Sequence, residues 1–474
     1  ISACLVGSEM CIRDSLYSGE IAYMDDQVGR LLDAIQQMGL GSRTLVVAIG
    51  DHGESLGEHG EMTHGVFLYD STLHVPLMIA GPGVPAGKVI DEQVRSIDVM
   101  PTILAFLQLP PGNRAQGLNL WPLIERGTRV ADDSAYLETL YPRTYLGWSE
   151  LRGMRTDKWA FISAPRPELY DLESDPAETH NIADRHPEVA GVFRAKMWSL
   201  IGLSSGREEL VPSPLDERTR QQLNALGYVS AGTPREIDLG TAAPDPKDRV
   251  EVLKTLDSAG TLLGKERYAE AAQIMERSLP RDPSNPLAHI YLATALDKMG
   301  DYRREVEVYQ DALAHKIETD EIDSRLGKAY LHLQELDKAV EAMTRAVALN
   351  PLDLDSFRNL GTAQLQLGRV DEAEKAFKSI LVENDHYAAA YNGLGLVAVQ
   401  RDNADTARRD FEKAIEVGPD EVEPLLNLGL LYQKSGEKRL AVRYYQMFLS
   451  KAPEAQYGTM FGDVRNAIKE CQNP

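Results

Sequence analysis

TLVVAIGDHGESLGEHGEMTHGVFLYDSTLHVPLMIAGPG, residues 44–83, opens with a run of β-formers, Thr44 to Ile49. The run stops at Gly50 and delivers Asp51 and His52 at the carboxyl end of a predicted strand. His59 and His64 follow within one loop. A second apolar run, Val75 to Ala80, ends in Gly81-Pro82-Gly83. In open α/β sheets, ligands bind beyond the carboxyl ends of the strands. An acid and imidazoles at that place therefore read as chemistry rather than as packing.

Working outward on the amino-terminal side, Ile21, Met24, Val28, Leu31, Leu32 and Ile35 recur at spacings of three and four. This predicts a helix from Leu16 that packs on the sheet, with Gly39 as its C-cap. The first fifteen residues, ISACLVGSEMCIRDS, resemble a translated sequencing adapter and have neither the basic start nor the apolar core of a signal peptide. They are left out of the expected fold, and with them Cys4 and Cys11. On the carboxyl side, Asp98, before Val99-Met100-Pro101-Thr102, is expected to serve as an N-cap or turn residue. Residues 151–162 predict two short strands around a turn at Thr156-Asp157-Lys158. Glu168 to Leu172 predicts a third strand, and Pro187 a helix start. Gly232 to Lys247 reads as a linker.

From Glu251 the sequence repeats with a period of about 34 residues. Small residues recur in phase at Ala259, Ala293, Gly327, Gly361, Gly395 and Gly429. A second small position holds Ala271, Glu305, Ala339, Ala373, Ala407 and Ala441, with Glu305 the misfit. Bulky residues recur at Met275, Tyr309, Met343, Phe377, Phe411 and Tyr445. The pattern is similar to six tetratricopeptide repeats over 251–455, followed by a capping helix and tail at 456–474. One such repeat cannot bury its own apolar face, so the helix pairs must stack. Arrays of this family bind peptides or proteins along a groove, which is the expected partner class here.

The totals bound these readings. A chain of 474 residues with 43% hydrophobic content implies two or three folded domains. A net charge of -22 argues against nucleic acid or an anionic membrane as partner. No apolar run is long enough to span a bilayer. The three cysteines, Cys4, Cys11 and Cys471, form no disulfide framework and no Cys-x-x-Cys metal motif.

Asp51-His52 with His59 and His64, the Asp98-x-x-Pro101-Thr102 helix start, and Leu169-Tyr170-Asp171-Leu172 before Asp175-Pro176-x-Glu178 together resemble the sulfatase family of the alkaline-phosphatase superfamily. The expected fold is α/β, with a partial alkaline-phosphatase-like domain over 16–231 and a small antiparallel C-terminal subdomain at about 135–205. An all-α tetratricopeptide solenoid follows a linker at 232–250. The resemblance implies metal-assisted hydrolysis of a sulfate ester, with Asp51 and His52 as metal ligands. Calcium is the family's usual occupant, whereas ligand chemistry alone leaves manganese, zinc or magnesium open. It also implies His64 on the leaving-group side, where many members carry lysine, and His59 either against substrate or orienting a ligand. Histidine titrates near neutrality and lysine does not. In an intact homologue, His64→Lys should therefore extend the pH–rate profile to higher pH; an unmoved profile would contradict that role.

The acidic run Glu54, Glu58 and Glu61 is expected to be a solvated loop. The family's formylglycine nucleophile arises from a Cys/Ser-x-Pro-Ser-Arg motif, and no such motif occurs in the sequence. The expectation is thus the C-terminal part of a catalytic domain, inactive as written, from a bacterial and exported parent enzyme. Two rival readings remain open. One is another member of the superfamily acting on phosphate esters, such as a phosphodiesterase, phosphonate monoesterase or phosphoglycerol transferase. The other is a non-catalytic tetratricopeptide scaffold.

Overall fold

The computed structural model of the chain describes residues 2–110, 115–128, 134–204 and 243–472. Two compact units are distinguished. The first takes the described residues of Ile1–Glu209, Asp238–Gly264 and Arg277–Ala288, and the second those of Leu210–Ile237, Lys265–Glu276 and His289–Pro474.

The first unit opens with helix α1, Ser2–Gln37, and Gly39 follows in the left-handed region at φ 68°. The helix therefore stops where expected but starts earlier, running without a break through the residues left out on sequence grounds. Extending a nucleated helix gains one hydrogen bond per residue, whereas starting one is costly. Its apolar stripe does not pack as expected: Ile21, Met24, Val28, Leu31 and Leu32 are exposed. The two strands that follow, β1, Val46–Ile49, and β2, Leu77–Ala80, have four residues each and leave that stripe uncovered. These two strands pair antiparallel, Val46 opposite Ala80 and Ile49 opposite Leu77. A short helix α2, Asp70–Leu73, precedes β2.

Helix α3, Val99–Phe106, starts after Asp98, which is buried and makes no side-chain cap bond to it. Asp98 is instead the turn residue of the two expected roles. Its carboxylate accepts from the backbone of Arg95 (2.9 Å) and Leu118 (2.8 Å) and from the Arg95 guanidinium. That bond draws in Gly117, where a Cβ would stand 1.9 Å from the carbonyl oxygen of Ile97. Helix α4, Trp121–Arg126, follows.

The antiparallel sheet is built of β3, Ala135–Thr139, β4, Leu151–Arg155, β5, Trp159–Ser163, and β6, Glu168–Asp171, in that order. Helix α5, Tyr141–Leu146, joins β3 to β4, and α6, Pro187–Ser204, follows β6. The turn between β4 and β5 lies where the sequence placed it. The backbone N–H of Thr156 donates to the Trp159 carbonyl at 2.9 Å. Met154, Phe161 and Leu169 share one face and pack with Phe193 and Met197 of α6. The end of the expected linker is tied to this sheet. Lys247 meets the buried Glu168 at 2.7 Å, and Asp245 accepts from the backbone of Arg166 at 3.1 Å. Most of the expected linker lies outside the described residues.

The helices of the repeats are α7, Val250–Gly264, α8, Tyr268–Ser278, α9, Pro286–Lys298, α10, Tyr302–Ala314, α11, Asp320–His332, and α12, Leu336–Leu349. They continue with α13, Leu354–Gln366, α14, Val370–Glu383, α15, Ala388–Gln400, α16, Ala404–Val417, α17, Glu423–Lys434, and α18, Lys438–Lys451. Helix α19, Glu454–Gln472, closes the chain and buries Val464 and Cys471. The in-phase small and bulky residues meet as the period requires. A Cβ on Gly327, Gly361, Gly395 or Gly429 would run into Met343, Phe377, Phe411 or Tyr445 respectively. Glu305 occupies the small position of the second repeat and is buried. The turn inside each repeat carries one left-handed residue: Glu266, Gly300, Gln334, Gly368, Asp402 and Gly436. Glycine adopts that conformation freely; the other three do so at a cost.

Candidate active site

The loop after β1 turns back on itself, and this brings its polar side chains together. The backbone of Gly53 donates to the Thr72 carbonyl at 2.8 Å, and Ser55 donates to that of Thr63 at 2.8 Å. These bonds set the segment after Asp51 beside the segment that carries His64. The rings of His52 and His64 stack, with centroids 3.8 Å apart. His64 Nδ1 meets Glu54 Oε2 at 2.8 Å. His52 donates from Nδ1 to the Gly53 carbonyl at 2.8 Å, which leaves its Nε2 on the side of Asp51 Oδ2, 3.9 Å away.

Asp51 is highly exposed. The backbone N–H of His52 donates to its carboxylate at 3.0 Å, and the nearby imidazoles add to the effect, so its pKa lies below the usual carboxylate value. Asp51 is therefore a ready anion beside an imidazole nitrogen. One ligand atom each from His52, Glu54 and His64 falls within 4.8 Å of the others.

The acidic run is the solvated loop expected from sequence only at Glu58, which is exposed; Glu54 and Glu61 are drawn into the fold. Glu54 orients His64. Glu61 is 2% exposed and accepts from the backbone of Val66 (2.7 Å) and Phe67 (3.3 Å), which closes the turn that carries His64. Burial raises its carboxyl to about 7. Glu58 accepts from the Leu56 backbone at 2.6 Å. Sequence reasoning missed Glu54 because carboxylates in a loop default to solvent. The available signal was that a working imidazole needs an acceptor to fix its other nitrogen.

His59 does not join this group. Its backbone is left-handed, φ 52°, and its ring stacks on Tyr69 with centroids 3.6 Å apart. There it lines a separate cleft of about 540 Å³ with Glu168, Tyr170, Glu178 and Lys247. Burial holds its pKa below the ordinary histidine value. Glu168 in that cleft accepts from Tyr69 (2.9 Å) and Tyr170 (2.5 Å) as well as Lys247. Glu178 accepts from the Asp70 backbone (2.7 Å) and from Arg155 (2.9 Å), and Arg155 also pairs with the Asp70 carboxylate. The loop that carries the histidines is thereby fastened to the antiparallel sheet. His74 is an exposed partner of Asp70.

Residues 13–109 match the sulfatase family model, and residues 256–319, 324–389 and 392–456 match that of the tetratricopeptide repeat. Arylsulfatase K of Bos taurus is 31% identical over 201 residues, which cover 40% of this chain and 36% of that protein. An arylsulfatase of Clostridium perfringens is 32% identical over 200 residues, covering 41% and 40% respectively. The chain thus spans little more than a third of the length of the first of these relatives. Among solved structures, YrrB, a TPR protein, is 22% identical, with a TM-score of 0.34, over 38% of this chain and 94% of its own. No helix among the described residues is long and apolar enough to cross a membrane. The chain joins a sulfatase-like segment, similar to arylsulfatases, to a run of tetratricopeptide repeats.

Proposed function

We propose that the loop after β1 is the metal and leaving-group side of a sulfuric-ester hydrolase site, and that the repeats dock a peptide or protein partner. The reading is supported above all by the His52–His64 stack, with Glu54 fixing His64 and an ionised Asp51 beside it. Asp51 and His52 fit a divalent cation by donor type: an exposed carboxylate oxygen and an imidazole nitrogen whose other nitrogen is already engaged. The family resemblance favours calcium, and the nitrogen donor favours manganese or zinc. When bound, such a cation polarises an ester oxyanion and neutralises its charge.

The residues of the chain supply the rest. His64 stands where it can pass a proton to a departing alkoxide, and Glu54 holds its ring for that task. His59 acts outside this group, as a strut between the loop and the cleft. The nucleophile motif of the family is not in this sequence, so the chain is expected to bind metal without turning over an aryl sulfate.

Calorimetric titration with calcium, manganese, zinc and magnesium tests the site. Asp51→Ala should weaken the preferred ion at least tenfold, and equal affinity in both proteins would remove Asp51 from the metal site. Hydrolysis of a chromogenic aryl sulfate by this chain would overturn the assignment of the nucleophile to a formylglycine.

A further inference from the structure

A second cluster of nitrogen and oxygen donors lies far along the sequence, in the second repeat. His289 on α9 is fully buried, an unusual place for an imidazole in an array whose helix contacts are made by alanine, leucine and aromatic residues. Its Nε2 lies 3.2 Å from Oδ2 of Asp311 on α10. His315, the C-cap residue of α10, brings its ring to the same carboxylate, with Nδ1 3.6 Å from Oδ1. His315 Nδ1 also donates to the main-chain carbonyl of Asp311 at 2.9 Å. That bond fixes the tautomer and leaves Nε2 with its lone pair, the arrangement that metal-ligating histidines adopt. One ligand atom from each of the three residues lies within 4.8 Å of the other two.

We propose that His289, Asp311 and His315 form a zinc site of the repeat domain, unrelated to the loop after β1. Zinc takes imidazole nitrogen and carboxylate oxygen at about 2.0–2.2 Å. Donors around a tetrahedral ion are then about 3.4 Å apart; His289 Nε2 and Asp311 Oδ2 stand 3.2 Å apart in a hydrogen bond, and the ion takes the place of that proton, which is released to solvent. His289 is locked by its burial, whereas Asp311 and His315 are half-exposed and can close the remaining distance by side-chain rotation. Calcium and magnesium are disfavoured because two of the three donors are nitrogen. Three protein ligands leave a fourth position open to water, or to a donor from a docked chain. The site clamps α9 to the end of α10, so bound metal should also stiffen the second repeat.

Cobalt(II), which reports its geometry by colour where zinc is silent, is the probe. Titrated into the full chain, it should give the intense visible absorption of a four-coordinate ion, and zinc should displace it. Measured in the Asp51→Ala background, which removes the site proposed after β1, His315→Ala and Asp311→Asn should each weaken that signal at least tenfold. His315→Leu, matched to wild type by circular dichroism, guards against a loss caused by misfolding. A cobalt spectrum of six-coordinate type only, or a signal indifferent to both His315 and Asp311, would overturn the site. Neither result bears on metal binding at Asp51.

Discussion

Phe377→Ala is expected to cost the helical repeats about 3–5 kcal/mol of unfolding free energy. Phe377 on α14 is 1% exposed, and its ring fills two notches at once. A Cβ on Gly361 of α13 would lie 2.8 Å from the ring, and one on Gly393 of α15 would lie 2.4 Å from it. The ring therefore bridges three helices where two of them offer only backbone. When a large side chain is cut back, the cost depends on how far the surroundings can collapse. Glycine has no side chain to swing into the space, which places the loss in the upper part of the range for such truncations. Urea unfolding followed by far-UV circular dichroism measures it. A loss below about 1 kcal/mol would mean that the helices close over the gap, contrary to this account.

The stability of the repeats should fall as pH rises from about 5 to 8.5, and Glu305→Ala should remove a large share of that fall. Glu305 is 5% exposed, and its Oε2 has no hydrogen-bond partner among the described residues. Burial, reinforced by Asp297 and opposed by Arg325, raises its carboxyl from 4.5 to about 8. The unfolded chain releases this proton near pH 4.5, while the folded chain keeps it to about pH 8. The stabilising contribution is thus whole below the unfolded value and is lost as pH rises through the folded one. At about 1.4 kcal/mol per pH unit, the penalty reaches roughly 3–5 kcal/mol above pH 8. Near pH 5 the alanine variant should differ little from wild type, and near pH 8.5 it should be clearly more stable. Parallel pH profiles for the two proteins would show that Glu305 carries no such penalty.

The parts of the fold that repeat, or that a polar turn interrupts, were legible in the sequence. The 34-residue phase placed Gly361, Phe377, Gly395 and Phe411 correctly because stacked repeats permit only one spacing between a notch and its filler. The turn at Thr156 was legible for another reason, since the polar Thr156-Asp157-Lys158 interrupts two strand-forming runs. The stripe on α1 was read as a buried face, but periodicity reports the face and not the surface that covers it. Loops were harder still. His59 and His64 sit five residues apart in similar company, yet one left-handed backbone angle at His59 sends its ring to Tyr69 and away from His52. The partners of Glu54 and Glu61 depend on the return path of the same loop, which no spacing rule encodes. Asp245 and Lys247 looked like linker because their partners, Arg166 and Glu168, lie about eighty residues upstream.

The left-handed turns divide the repeats into two classes. Glycine relaxes the turns of the second, fourth and sixth repeats, whereas Glu266, Gln334 and Asp402 hold those of the first, third and fifth under tension. In an array where each repeat leans only on its neighbours, cooperativity passes through every junction in turn. An array warmed toward melting would loosen first inside these three repeats, between the paired helices of each, and not evenly along its length.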